Sequence, residues 1–345
     1  IMSDLGYQGI KGLQSNGLTN PFLKWEETKK LQVGLDIGFL QDRILLNTNY
    51  TRNRSSNQLL EIGLPLLTGF QFVPNNLPAI VQNTSWEFNL NTINIKKKDF
   101  TWSTNLNLTI PENKLVSFPE LATSAFASLL IVGQSINVVQ LYKFIGVNES
   151  TGNYQFMDSK GNLTTDPNPV TDRIRIVNTT PQFYGGFHNS FTYKGVQLDV
   201  SFQFVKQIAK QDIQLGLSSP PGTFQNILGN QPIWVLDRWQ KSGDKAPIEQ
   251  YHYSDALSFP LWFNTINNSD ALWVDASFLK LRNVSISWQL PDQWKKKIRL
   301  QGCRLFIHGQ NLLTITPFKG LDPEIKSSTY LPPLRKITIG AQIVL

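Results

Sequence analysis

Hydrophobic and polar positions alternate with a period of two through Gln182–Phe204. Successive side chains of a β-strand point to opposite faces, so each parity of this segment forms one face. One parity carries Phe183, Gly185, Phe187, Asn189, Phe191, Tyr193, Val196, Leu198, Val200, Phe202 and Phe204. The other parity of the second arm carries Gln197, Asp199, Ser201 and Gln203. With Lys194-Gly195 as a two-residue turn, the pattern predicts a β-hairpin that has lipid on one side and water or polar protein on the other.

The same alternation recurs along the chain and predicts nine long strands. These are residues 26–40, 44–60, 83–95, 100–110, 183–193, 196–204, 273–290, 302–316 and 336–345. The alternation slips near Thr92, which indicates a β-bulge. The predicted strands are longer than the roughly five or six residues that are usual in globular proteins. They reach the ~9–11 residues with which a tilted strand crosses a bilayer.

Short and long connections alternate between the predicted strands. The turns at 41–43, 96–99, 194–195 and 291–301 are short, whereas the loops at 61–82, 111–181, 208–271 and 317–334 are long. All long loops therefore lie at one end, as in outer-membrane barrels with short periplasmic turns and long extracellular loops. On closure, nine antiparallel strands would place the first strand parallel to the last. We therefore expect the sheet edges to pair with further strands, from missing sequence or from a partner.

Composition agrees with a membrane wall. Charged residues make up 17% of the 345 residues, against roughly 25% in soluble domains, and aromatic residues make up 11%. The longest nearly apolar run, Leu121–Gly133, is too short for a spanning helix of about 20 residues. The formal charge of +7 comes from scattered lysines and arginines, so nucleic-acid binding is not favoured. Cys303 is the only cysteine, which excludes an intrachain disulfide and a cysteine-based metal site.

Several segments share an order that is typical of one family. They are Asn20–Thr28 with Val33–Gly38, Tyr142–Gly146 with Thr151–Tyr154, Phe183–Phe187, Phe278–Val284 with Gln289–Pro291, and Gly309–Leu312 with Phe318–Glu324. In these segments the chain resembles the SusC/RagA family of TonB-dependent outer-membrane transporters of Bacteroidetes, nearly from end to end. Two places depart from the family pattern. Asn83–Glu87 reads Asn-Thr-Ser-Trp-Glu instead of Asn-x-Gly-x-Glu, and Leu345 replaces the usual final aromatic residue.

The resemblance implies an all-β fold, with residues 1–345 forming the C-terminal part of an antiparallel transmembrane β-barrel of about 22 strands. It implies a multi-pass β-barrel in the cell outer membrane that imports large nutrients, glycans or peptides. The expected partners are a SusD-like surface lipoprotein, the lipid bilayer and the remaining barrel strands and plug. TonB would act through an N-terminal region that is absent from this sequence, as is the plug.

The aromatic residues fall into two groups. The strand group is predicted to face the membrane and consists of Phe39, Tyr50, Trp86, Phe100, Trp102, Phe187, Phe191, Tyr193, Phe202 and Trp288. The loop group consists of candidate contacts for a ligand or for the lipoprotein lid: Trp234, Trp239, Tyr251, Tyr253, Trp262 and Phe263. Packing within the loops is the favoured alternative for this second group, because loops of this length need a core of their own.

The sequence contains no constellation that predicts catalysis or a cofactor. His188, His252 and His308 are far apart, and His188 and His308 fall on the polar parity of strands, where they are predicted to face the lumen. Asp158–Asn162 is similar to a calcium loop but lacks the downstream acidic ligand, so a turn is favoured. Neither a Ser/His/Asp arrangement nor a phosphate-binding loop occurs. We therefore predict no enzymatic activity and no metal site.

The sequence is compatible with three functions. The first is the wall of an import channel, and the second is a SusC-like barrel that serves as a scaffold subunit of a larger outer-membrane complex. The third is a soluble sugar-binding β-sandwich, which only the tryptophan-rich loops favour. Nutrient uptake separates the first two functions, and release from membranes without detergent would identify the third.

Overall fold

The structure is a computed structural model, and it describes residues 2–7, 10–15, 17–211, 233–251, 264–326 and 330–345. The first ten strands in this part of the chain are β1 (Met2–Tyr7), β2 (Ile10–Ser15), β3 (Glu27–Phe39), β4 (Ile44–Ser56), β5 (Gln58–Gly63), β6 (Phe72–Leu77), β7 (Ile80–Lys96), β8 (Phe100–Ser117), β9 (Val138–Leu141) and β10 (Lys143–Val147). The next ten are β11 (Tyr154–Met157), β12 (Leu163–Thr164), β13 (Arg175–Asn178), β14 (Phe183–Tyr193), β15 (Val196–Lys206), β16 (Ile208–Lys210), β17 (Trp273–Asp275), β18 (Phe278–Gln289), β19 (Gly302–Ile315) and β20 (Lys336–Val344). A short α-helix spans Asp292–Lys297, and 3-10 turns span Leu66–Thr68, Leu121–Thr123, Ile233–Asp237 and Asp270–Leu272. The predicted all-β class is confirmed.

Nine of these strands form one sheet in the order β20-β19-β18-β15-β14-β8-β7-β4-β3. Pairing is antiparallel from β8 through β20, and each strand lies beside the next long strand of the chain. The central hairpin β14–β15 pairs without interruption from Phe183 opposite Lys206 to Tyr193 opposite Val196. The nine predicted strands are therefore present in the predicted order.

The connections contain more structure than the pattern predicted. Residues 1–25, expected as a loop, contain the paired strands β1 and β2, and loop 61–82 contains most of the hairpin β5–β6. Stretch 111–181 includes the five short strands β9–β13. The predicted strand 273–290 is divided into β17 and β18. Strands of two to six residues escape detection because alternation over so few positions resembles an irregular sequence.

Two compact units can be described separately. The first comprises Ile1–Val33, Tyr50–Ser85 and Glu112–Ile136. Its buried cluster consists of Leu77, Ala79, Val81, Leu115 and Phe118. The second comprises Gly34–Asn49, Trp86–Pro111 and Asn137–Leu345 and includes residues from all nine strands of the sheet. None of the helices in the described part of the chain has the length and hydropathy needed to cross a membrane.

Aromatic pairs hold the register of the central strands. Phe187 of β14 stacks on Phe202 of β15 with ring centroids 4.7 Å apart. Phe204 covers Gly185, where an added Cβ would lie 2.7 Å from Phe204 Cζ and 2.1 Å from the Asn107 carbonyl oxygen. Only glycine fits this close approach, and cross-strand ring pairs of this kind stabilise one register over its alternatives.

Candidate functional site

The polar parity of the central strands forms a hydrophilic face. His188 lies opposite Ser201, with 2.7 Å between His188 Nδ1 and Ser201 Oγ. His188 Nε2 lies 3.7 Å from Asp199 Oδ1, and Gln197 donates to both oxygens of that carboxylate at 3.0 and 3.1 Å. Groups that satisfy one another in this way suit a wall that faces water or polar protein.

Asparagine side chains extend this face across neighbouring strands. Asn105 of β8 donates to the side-chain oxygens of Asn89 and Asn91 on β7. On β4, Asn49 donates to Asn47 at 2.8 Å. A primary amide both donates and accepts, so this wall offers hydrogen bonds to sugars, peptides or water without fixed charge.

A β-bulge at Arg282 decides which residues of β18 reach the polar face. Val284 lies opposite Val200, but beyond the bulge Lys280 lies opposite Gln203. One extra residue in β18 reverses its parity, as β-bulges do. Without the bulge, Lys280 would share the apolar face of Val284. Strict alternation from Val284 therefore assigns Lys280 to the wrong face. Its true face is visible only in the pairing of β18 with β15.

A buried ionic cluster forms where the bulge places these charges. Lys280 Nζ donates to both carboxylate oxygens of Asp322 at 2.8 Å and to Glu324 Oε2 at 2.9 Å. Arg282 donates to both oxygens of Glu324 at 2.6 Å, and its Nε donates to Gln203 at 2.6 Å. The Lys280 and Asp322 side chains are only 5% and 6% exposed. Charges at such depth are tolerated when they are paired, and here two cations face two carboxylates.

The cluster fixes the loop that follows β19 to the sheet. Asp322 accepts the backbone N–H of Glu324 at 2.8 Å, so the carboxylate also shapes its own turn. The amide of the buried Gln207 donates to the Pro323 carbonyl at 2.8 Å. Further along the loop, Asn311 donates to the Leu334 carbonyl at 3.2 Å. The loop is thus attached to β19, to the bulged β18 and to the end of β15.

A cavity of about 300 Å³ lies beside the cluster. Its wall includes Lys280, Arg282, Asn311, Asp322 and Arg335. Lys280 and Arg282 are already bound by the carboxylates of Asp322 and Glu324, so these two cations act as a loop anchor.

Both carboxylates of this loop anchor, Asp322 and Glu324, are held in the ionised form. Burial is the largest influence at Asp322 and by itself raises the pKa. The hydrogen bonds and charge of Lys280, together with the backbone N–H groups of Glu324 and Ile325, outweigh it, so the pKa lies below the ordinary value. At Glu324 burial also raises the pKa and is the largest single influence. The hydrogen bonds and charges of Arg282 and Lys280 together lower the pKa below its ordinary value. A pKa depressed by folding contributes stability at neutral pH that is lost as the pH falls through the folded-state pKa.

The loop aromatic Trp239, from stretch 208–271, packs against the other long loop, 111–181. Its indole Nε1 donates to the Glu149 carbonyl at 2.9 Å. Its ring lies so close to Gly152 that an added Cβ there would be 2.4 Å from the ring. Gly152 has a φ of 77°, so glycine also suits the backbone at this position. The geometry favours packing over ligand contact for Trp239.

The other loop aromatics predicted to contact a ligand or the lipoprotein do not form a common site among the described residues. Tyr251 is exposed, and Trp234 belongs to the 3-10 turn Ile233–Asp237. Tyr253, Trp262 and Phe263 lie outside the described residues, as does His252. A ligand or lipoprotein contact of this group stays a prediction.

The strand aromatics predicted to face the membrane lie on the apolar parity. Phe39, Trp86 and Tyr193 are exposed. Trp102 stacks on Phe191 at 5.5 Å, and Trp288 meets the helix residue Trp294 edge-on at the same centroid distance. An apolar face with aromatic residues near the turns is typical of lipid-facing walls, and membrane contact of this group stays a prediction.

Asp158–Asn162 forms a turn. Asp158 Oδ1 accepts the backbone N–H groups of Lys160 at 2.9 Å and Asn162 at 2.7 Å. These bonds, that of the Asn162 N–H above all, lower the pKa of the Asp158 carboxyl. Across the described ranges, three or more His, Cys, Asp or Glu side chains are nowhere grouped to hold a metal ion.

Two known proteins that match this chain are TonB-dependent receptors. TonB-dependent receptor P3 of Formosa agariphila is 26% identical over 350 residues, which cover 94% of this chain and 33% of the receptor. TonB-dependent receptor SusC of Bacteroides thetaiotaomicron is 24% identical over 333 residues, which cover 89% of this chain and 30% of SusC. The resemblance to the SusC/RagA family is confirmed.

The SusC-like fold also has solved counterparts. A structure of the RagAB peptide transporter superimposes with a TM-score of 0.79 and 20% identity, and covers 99% of this chain and 38% of that chain. The RagAB peptide importer in the open-open state superimposes with a TM-score of 0.80 and 18% identity, covering 100% of this chain and 37% of that one. No protein-family model matches the chain.

These similarities fix the broad assignment. The nine-stranded sheet is a partial β-barrel that matches the C-terminal part of the barrel of TonB-dependent receptors, and the predicted outer-membrane localisation is confirmed. The relatives are receptors and not enzymes, which agrees with the prediction of no enzymatic activity. The SusC-like chain spans about a third of the length of the curated relatives it matches.

Proposed function

We propose that residues 1–345 form the C-terminal wall of a TonB-dependent importer of large nutrients, either glycans or peptides. The observation that carries the proposal is the nine-stranded sheet with one apolar face, one polar face and two open edges. Within the described residues the sheet ends at β3 on one side and at β20 on the other. An outer-membrane wall cannot leave strand edges unpaired in lipid, so further strands complete this barrel.

The polar face then lines the lumen. Its amides, hydroxyls and the His188–Asp199 pair supply hydrogen bonds to a hydrated cargo or to a plug, and the lumen of barrels of this size is polar. The similarity to RagAB, named a peptide importer, favours peptides over glycans as the first cargo to test.

The proposed import function also implies partner proteins. A SusD-like lipoprotein covers the long loops, and TonB acts on a region outside this sequence. The loop aromatics Trp234, Trp239, Tyr251, Tyr253, Trp262 and Phe263 are the residues offered for contact with the lipoprotein or the cargo.

Uptake by living cells tests the proposal. A strain that lacks the gene is compared with a strain complemented by the intact gene for uptake of fluorescent peptides and of labelled glycans. Loss of uptake of one class, restored by the gene, is the expected result. Normal uptake of every nutrient, together with loss of an outer-membrane complex, would overturn the proposal in favour of a scaffold.

A further inference from the structure

A polar residue interrupts the apolar face that we predict to meet lipid. Asn189 lies between Phe187 and Phe191 on the same parity of β14. Its neighbours across the sheet are Thr104 on β8 and Val200 on β15. Lipid tails offer no hydrogen bonds, so a carboxamide on such a face requires its own partners.

These partners form a hydrogen-bonded group that we name the Asn189 cluster: Thr92, Asn94, Trp102, Thr104 and Asn189. Trp102 Nε1 and Thr104 Oγ1 both donate to Asn189 Oδ1, at 3.0 and 2.7 Å. Asn94 Nδ2 donates to Thr104 Oγ1 at 2.7 Å. Thr92 Oγ1 donates to Asn94 Oδ1 at 2.8 Å.

The direction of these bonds determines what the cluster can still bind. Both carboxamide oxygens and the Thr104 hydroxyl already act as acceptors. A carboxamide nitrogen carries two hydrogens, so Asn189 keeps two N–H groups and Asn94 keeps one. Within the described ranges no further acceptor meets these N–H groups. The cluster therefore presents donors, and its ligand must present oxygen acceptors.

Four lysines lie beyond the cluster at the turn end of the same strands. Lys96, Lys97 and Lys98 are exposed in one turn, and Lys194 lies in the next. The two turns adjoin, because the Lys194 N–H donates to the Asp99 carbonyl at 3.2 Å. The two turns carry four lysines against one carboxylate, Asp99, which leaves a net positive charge at the rim of the apolar face.

Depth along the strands separates these two donor sets. A strand rises about 3.3 Å per residue, and at a tilt of about 45° each residue adds roughly 2.3 Å of depth. Asn94 lies two residues from Lys96, and Asn189 lies five residues from Lys194. Counted along its own strand, Asn94 is therefore about 5 Å deeper than Lys96, and Asn189 is about 12 Å deeper than Lys194. The two amides lie side by side, because both bond the Thr104 hydroxyl, and the stacked rings of Trp102 and Phe191 lie on the same strands between the amides and the turns.

We propose that the Asn189 cluster and the adjoining lysines bind an anionic phospholipid of the periplasmic leaflet. Its phosphate lies at the Lys96–Lys98 turn, and the oxygens of its glycerol esters accept hydrogen bonds from the Asn94 and Asn189 amides. Its acyl chains lie along Trp102 and Phe191. The inference rests on the lipid-facing orientation of the apolar parity and not on the cargo, so it stands whether the barrel transports or serves as a scaffold.

Lipid retention by the full-length protein tests this site. The protein is purified from outer membranes in a mild detergent and incubated with phosphatidylglycerol, and bound lipid is counted by native mass spectrometry. The double variant Asn94→Leu with Asn189→Leu should retain roughly tenfold less lipid, because two hydrogen bonds are removed. Asn105→Leu on the polar face is the matched control and should retain wild-type amounts. Heat-modifiable gel mobility verifies that each variant folds.

Two outcomes would overturn the proposal. Equal retention by the double variant and the wild type would remove the role of the amides. A bound protein in place of lipid, lost in the double variant, would identify a protein contact instead. If the double variant does not fold, replacement of Lys96, Lys97 and Lys98 by glutamate decides. This variant changes only an exposed turn, and it should retain less phosphatidylglycerol but wild-type amounts of phosphatidylethanolamine. An unchanged preference for phosphatidylglycerol over phosphatidylethanolamine would exclude the site.

Discussion

Replacement of Lys280 by methionine should detach the loop after β19 from the sheet. Methionine fills a similar volume but removes the cation that is 2.8 Å from both oxygens of Asp322. Glu324 keeps its bidentate bond from Arg282, so Asp322 alone is left buried without a cation. Removal of one partner of a buried pair costs about 3–5 kcal/mol, and we expect this cost to appear as local opening of the loop.

Hydrogen exchange of the full-length protein measures that opening. The backbone N–H groups of Glu324 and Ile325 donate to Asp322 Oδ1 at 2.8 and 3.3 Å, and the Lys326 N–H donates to the Asp322 carbonyl at 3.0 Å. A loss of about 3–5 kcal/mol corresponds to roughly 150- to 5,000-fold faster exchange of a peptide that covers these amides. Peptides from the central hairpin β14–β15 serve as the internal control and should not change.

A double variant separates lost pairing from lost packing. Lys280→Met with Asp322→Leu removes both charges, so much of the protection should return, because an apolar pair often replaces a buried ion pair without loss. Wild-type exchange rates in the Lys280→Met variant would refute the reasoning. Exchange in the double variant as fast as in the single variant would show that shape and not charge holds the loop.

The same anchor has a defined pH dependence. The folded-state pKa values of Asp322 and Glu324 lie below their ordinary values, so the anchor should be intact at neutral pH. Protection, corrected for intrinsic exchange, should fall only as the pH drops below the ordinary carboxyl range. Loss of protection on raising the pH from mildly acidic to neutral would contradict this sign.

Three further predictions test the faces and the loops. Ile286→Arg should lower barrel stability by about 2–4 kcal/mol in urea unfolding of reconstituted protein, whereas Ser285→Arg should change it little; equal costs would contradict the assignment of faces. Gly185→Val should abolish the heat-modifiable barrel band, because its side chain would collide with the Asn107 carbonyl, and a normal band would disprove that constraint. Trp239→Ala should speed proteolysis of the loop it covers, and an unchanged cleavage rate would favour a ligand role.

Much of the fold followed from local periodicity. The alternation through Gln182–Phe204 predicted β14 and β15, and the same pattern located the other seven strands of the sheet. This works because the face to which a strand residue points depends only on its position in the strand. The lengths of the connections ordered the strands, since antiparallel neighbours are joined in sequence.

Tertiary structure decided the features that depend on distant partners. Lys280 meets Asp322 only because a bulge at Arg282, visible in the pairing with β15, reverses the parity of β18. The Asn189 cluster joins side chains from β7, β8 and β14, and its hydrogen-bond directions depend on cross-strand register. A sequence pattern specifies which face a residue occupies while the strand is regular. Where a strand bulges, and which side chains then meet, depends on pairing between residues far apart in the chain, and that is set by the folded sheet.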